Sequence, residues 1–93
     1  MANNLFISYD LHSPGQNYEK IIDTIKGLGT WGKVQYSLWY VKSGLSASDA
    51  GKKVWSVMDS NDSLIVIDAT NNDASWYNLG QEVSDFIKKH WHN

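Results

Sequence analysis

Asp10 closes an apolar run, Leu5-Phe6-Ile7-Ser8-Tyr9, and is the residue best placed for chemistry. A carboxylate at the end of a buried strand stands where a rigid scaffold meets solvent. With Asp62 and His12 nearby it can hold a divalent cation. Mg²⁺ takes carboxylate oxygens, keeps several waters and engages phosphate well, so the chemistry would be metal-assisted phosphodiester cleavage. The plainer alternative stays open: Asp10 ends a strand and Asp62 caps a turn. Other constellations are thin. Ser8 and Ser37 have no evident base, and no nucleophile elbow, P-loop or G-x-G-x-x-G occurs. His90 and His92 are two residues apart and do not share a helix face.

A second class of candidate is a binding surface. Tyr36, Trp39, Tyr40, Trp55, Trp76 and Tyr77 can stack on bases or anchor a protein interface. Lys33, Lys42, Lys52 and Lys53 can form a modest phosphate patch. All eight basic residues are lysines and the net charge is −2. Without the forked guanidinium of Arg, strong nucleic-acid binding is not expected, although a local lysine patch stays open. The alternative is a non-enzymatic inhibitor or regulator, in a phage-defence, anti-CRISPR or toxin–antitoxin setting, that meets a protein partner through its aromatic surface.

The elements that must position these residues follow from periodicity. Residues 5–10 alternate as a strand, with Leu5, Ile7 and Tyr9 on one side and Phe6, Ser8 and Asp10 on the other. Pro14-Gly15 marks a turn. Tyr18, Ile21, Ile22, Ile25 and Leu28 form a helical stripe, and Gly29 is its expected left-handed cap. Trp31–Val34 and Ser37–Lys42 read as a tight hairpin, with one bulged strand as the alternative. Ser46 caps a second helix carrying Ala47, Ala50, Val54, Val57 and Met58. Residues 63–69 read as a strand buried on both faces. Residues 74–78 suit a short extended piece, and Leu79, Val83, Phe86, Ile87 and His90 mark a last helix.

The order is β-α-β-β-α-β plus a terminal helix, so the expected fold is an α+β, ferredoxin-like sandwich forming a single domain over residues 1–93. Right-handed crossovers put the first strand between the third and fourth. We expect the first and third strands to run parallel and the fourth to run antiparallel to the first. That would gather Tyr9 and Asp10 with Val41, Lys42, Asn61 and Asp62. A sheet of this size with helices on one face is marginal alone, so the other face invites a partner. No Cys is present, and residues 1–4 lack a basic start before an apolar core, which suggests a cytoplasmic protein with no membrane partner.

Phe6-Ile7-Ser8-Tyr9-Asp10-Leu11 resembles the first strand of the second family of small CRISPR-associated proteins (Cas-two). Val34-Gln35-Tyr36-Ser37-Leu38-Trp39 resembles that family's hairpin, and Asp62-Ser63-Leu64-Ile65-Val66 its last core strand. The start, the Pro-Gly-x-Asn-Tyr turn and the tryptophan-rich hairpin are closer still to SinR/VapD-like relatives. The likeness runs in order from residue 5 to about 90. It implies a ferredoxin-like homodimer and, in some members, Mg²⁺-dependent endonuclease or endoribonuclease activity. The strand-end aspartate, Asp10, would be catalytic at the dimer axis, with Tyr9 and Ser37 as neighbours. The basic residues that follow the aspartate in that family are replaced here by Leu11-His12-Ser13-Pro14-Gly15. The expected activity is therefore binding of nucleic acid or protein, with nuclease chemistry as a residual possibility.

Overall fold

The computed structural model describes residues 2–12 and 18–91, so the Pro14-Gly15 turn and His92 lie outside the described residues. The elements are β1 (Asn3–Asp10), α1 (Tyr18–Lys26), β2 (Thr30–Gln35), β3 (Leu38–Ser43), α2 (Ala47–Trp55), β4 (Ser63–Asp68), β5 (Asp73–Tyr77) and α3 (Gln81–His90). They form an α+β domain around one antiparallel sheet in the order β2-β3-β1-β4-β5. Among the described residues no helix is long and apolar enough to cross a membrane.

The alternation of β1 decides which face is core. Leu5, Ile7 and Tyr9 are buried, whereas Asn4 and Asp10 are exposed. Trp39 and Val41 of β3 and Leu64 and Val66 of β4 continue that face. Ile21 and Ile25 of α1, with Ala47, Ala50 and Val54 of α2, cover it. Each fully buried Leu, Ile or Val there contributes about 1.5–3 kcal/mol. α2 starts on Ser46, whose Oγ accepts from the Asp49 N–H at 3.0 Å. Its small residues let it approach the sheet closely: a side chain at Gly51 would meet the Tyr77 ring at 3.3 Å.

Three expectations need correction. First, β1 runs antiparallel to β3 as well as to β4. The β2–β3 hairpin reverses the chain once more after α1 has returned it, so β3 must oppose β1. Lys42 therefore pairs with Asn4, at the opposite end of β1 from Asp10. Second, Gly29 is not a left-handed cap. It is needed for close approach: a Cβ there would overlap the Lys42 carbonyl oxygen. The positive-φ residues outside glycine are instead Asn72 and Asn78, an amide type that tolerates this region. Third, β4 buries only alternate residues, because α3 covers Ile65 and Ile67 incompletely.

The hairpin forms, and the bulge also occurs within it. Val34 is the extra residue between the pairs Lys33↔Trp39 and Gln35↔Leu38. α3 forms over the expected stripe from Val83 to His90, with Leu79 falling before its start, and buries none of its residues. It is tied to β5 and the turn before it by Trp76 Nε1 donating to Ser84 Oγ at 3.0 Å and Trp91 Nε1 donating to the Asn72 carbonyl at 2.9 Å.

Candidate functional site

The end of β1 gathers the residues singled out for metal-assisted chemistry. The Tyr9 N–H donates to the Ser37 carbonyl at 3.3 Å, and Asp10 lies opposite Ser63, next to Asp62. Asp10 is exposed, and its carboxylate takes no hydrogen bond from a described residue. Asp62 behaves differently. It is fully buried, its Oδ1 accepts from the His12 N–H at 2.9 Å and its Oδ2 from the Asp59 N–H at 2.8 Å. It thus pins the exit of β1 to the loop before β4. A cation at Asp62 would have to displace these donors. Among the described residues no group of three or more His, Cys, Asp or Glu is arranged to hold a metal. Among the described residues at this strand end, Asp10 is the carboxylate that stays exposed, while Asp62 is engaged by the backbone.

The predicted aromatic platform is dispersed. Trp39 is 2% exposed and belongs to the core. Tyr40 lies on the opposite sheet face against Phe6, with ring centroids 5.5 Å apart. Trp55 stacks on Tyr77 at 5.0 Å, between α2 and β5. Trp76 is under α3. These rings therefore do not act together, and Lys42 is remote from Asp10.

A different grouping takes the platform's place at the hairpin. Lys26 Nζ sits 4.5 Å from the Trp31 ring centroid and 5.9 Å from that of Trp39. Lys33 Nζ sits 4.8 Å from the Tyr36 ring and 5.7 Å from Trp39. Neither ammonium has a carboxylate partner among the described residues. The contacts arise because Lys33 and Trp39, and Trp31 and Val41, are cross-strand pairs on the face that α1 covers. Lys26, in the last turn of α1, reaches over the same rings. Trp31 is 45% exposed and Tyr36 is 89% exposed, so the rings also face solvent. Sequence reading missed Lys26 and Trp31. Their signal was the lysine in the last helical turn combined with the Trp31–Trp39 hairpin register.

Below this strip, between α1 and the hairpin, lies a cavity of about 480 Å³ lined by Tyr9, Tyr18, Ile22, Lys33, Tyr36 and Ser37. A second depression of about 290 Å³ shares Tyr9, Tyr18, Tyr36 and Ser37 and adds Asp10 and Leu11. The two adjoin at Tyr9, Tyr18, Tyr36 and Ser37, with Lys33 lining the first and Asp10 the second. The Tyr9 hydroxyl accepts from Trp39 Nε1 at 3.3 Å. Comparison of the chain with family models, curated proteins and solved structures finds no match.

Proposed function

We propose that this chain is a cytoplasmic, ferredoxin-like interaction module of the Cas-two/SinR kind that binds single-stranded nucleic acid along its hairpin edge. Removing β5 from the sheet leaves the order β2-β3-β1-β4, which supports the ferredoxin-like reading. The observation that carries the function is the strip of two lysines over Trp31, Trp39 and Tyr36, with no carboxylate partner among the described residues. Exposed rings stack bases, and ammonium groups neutralise phosphates. The absence of Arg and the net charge of −2 make this a weak, salt-sensitive binder.

A second activity attaches to Asp10. In a homodimer that juxtaposes two copies of Asp10, the paired carboxylates fit Mg²⁺, which would supply Lewis-acid activation for phosphodiester hydrolysis. Tyr9 and Ser37 would then flank the scissile group. A competing reading, a protein-binding regulator, draws on a specific observation. The sheet face carrying Phe6, Leu38 and Tyr40 is half-covered, and Phe86 of α3 beside it is 66% exposed.

Fluorescence anisotropy of labelled single-stranded RNA and DNA tests the main reading. Saturable binding that Lys33→Gln weakens is expected. No binding at low salt would overturn it. Incubation with Mg²⁺ tests the second activity: cleavage should vanish in Asp10→Ala, and cleavage unaffected by that change would remove Asp10 from the chemistry.

A further inference from the structure

We infer that the cavity between α1 and the β2–β3 hairpin takes one nucleobase, with the phosphate of that nucleotide held at the mouth by Lys33. The inference rests on the single-strand reading above and names what the bound strand inserts. Three observations carry it, all on the sheet face that α1 covers.

First, the cavity holds a buried donor. Tyr9 is 6% exposed and lines it. The Tyr9 oxygen accepts from Trp39 Nε1 at 3.3 Å, and its own O–H proton has no acceptor among the described residues. A buried donor without a partner is costly, so the cavity favours a ligand that brings an acceptor there. Second, the mouth is aromatic and cationic. Tyr36 is 89% exposed and Tyr18 54% exposed. Lys33 Nζ stands 4.8 Å from the Tyr36 ring centroid, with no carboxylate partner among the described residues. Exposed rings stack a base and an ammonium suits its phosphate. Ile22 adds an apolar wall, and the volume of about 480 Å³ falls within the roughly 300–1,000 Å³ of small-molecule sites.

Third, one side chain joins the two ends. Tyr9 and Ile7 share a face of β1, Trp39 pairs with Ile7, and Lys33 pairs with Trp39. Tyr9, Trp39 and Lys33 therefore project from the same side of the sheet. The Trp39 ring centroid is 5.7 Å from Lys33 Nζ, and its Nε1 reaches the Tyr9 hydroxyl. Ammonium and hydroxyl are thus separated by roughly an indole's width. A nucleotide, with ribose between base and phosphate, spans that gap, whereas inorganic phosphate cannot meet both groups. An aryl phosphate can fill the mouth, but its ring carries no acceptor for Tyr9. Every nucleobase carries one, as a carbonyl oxygen or a ring nitrogen, so the site is open to all four bases.

The test titrates the full chain with uridine monophosphate, phenyl phosphate, uridine and inorganic phosphate, read by amide NMR. Uridine monophosphate should shift Tyr9, Ile22, Lys33 and Ser37. Phenyl phosphate should bind about fivefold more weakly, the loss of a single neutral hydrogen bond. Tyr9→Phe should erase that difference by weakening uridine monophosphate alone, with the amide spectrum as the fold check; the wild-type comparison needs no variant. Uridine, and Lys33→Gln with uridine monophosphate, should each lose about threefold, as an exposed ion pair implies. A short uridine oligonucleotide separates a strand nucleotide from a free one: the same four shifts identify the inserted base as part of the strand. Equal affinity for uridine monophosphate, phenyl phosphate and inorganic phosphate would overturn the inference. Oligonucleotide shifts at Lys26 and Trp31 without any at Tyr9 and Ile22 would sink this inference alone. Silence from every probe would sink the single-strand reading with it.

Discussion

Replacing Asp62 separates a structural carboxylate from a metal ligand. Its fully buried carboxylate accepts the backbone N–H groups of His12 on Oδ1 and Asp59 on Oδ2. A hydrogen bond to a charged group contributes about 1.5–3 kcal/mol, and the substitution removes both. Asp62→Ala should therefore cost about 3–5 kcal/mol. That is a large share of the ~5–15 kcal/mol by which a domain is stable. Asp62→Asn keeps one acceptor and sets an amide against the other donor, so it should cost less, about 1–3 kcal/mol. Urea unfolding followed by far-ultraviolet circular dichroism reads the difference as a fall in midpoint at constant slope. The loss should be the same with and without Mg²⁺. A loss below about 1 kcal/mol, or one that appears only when Mg²⁺ is present, would refute the view that Asp62 is a backbone clamp.

Three other perturbations probe the scaffold. Gly29→Ala forces a methyl against the Lys42 carbonyl and should destabilise by about 1–3 kcal/mol in the same urea assay. Ser46→Ala removes the cap on the Asp49 N–H and should cost about 1 kcal/mol, read as a lowered thermal midpoint. Phe86→Asp, at an exposed position of α3, should leave the fold and the thermal midpoint read by circular dichroism essentially unchanged.

The fold was largely legible because its elements carry local signals. The stripe through Ile21 and Ile25, the Ser46 cap and the alternation of Leu5, Ile7 and Tyr9 all appear in the structure as the periodicities require. Strand direction was misassigned because it depends on counting chain reversals, which no single segment records. The role of Gly29 was missed for a related reason: its constraint comes from β3, distant in sequence. At the end of β1, the nearness of Asp62 to Asp10 was expected from topology and that of Ser37 to Tyr9 from the resemblance, whereas Val41 and Lys42, expected there too, lie at the other end of the strand. The lysine–tryptophan strip was not, because Lys26 and Lys33 meet over Trp39 only once α1 has crossed the hairpin. Trp39 shows the converse error. An aromatic in an edge-side hairpin suggested a surface, whereas its register opposite Ile7 puts it in the core.

The most direct measurement is the salt dependence of single-stranded RNA binding by the wild type, Lys26→Gln and Lys33→Gln. Two phosphate-neutralising lysines predict a slope of log affinity against log salt near −1.4, since each contact contributes about −0.7 for a single strand. Each substitution should flatten that slope by about 0.7. A slope that is flat in the wild type, or unchanged in both variants, would contradict a nucleic-acid-binding hairpin edge.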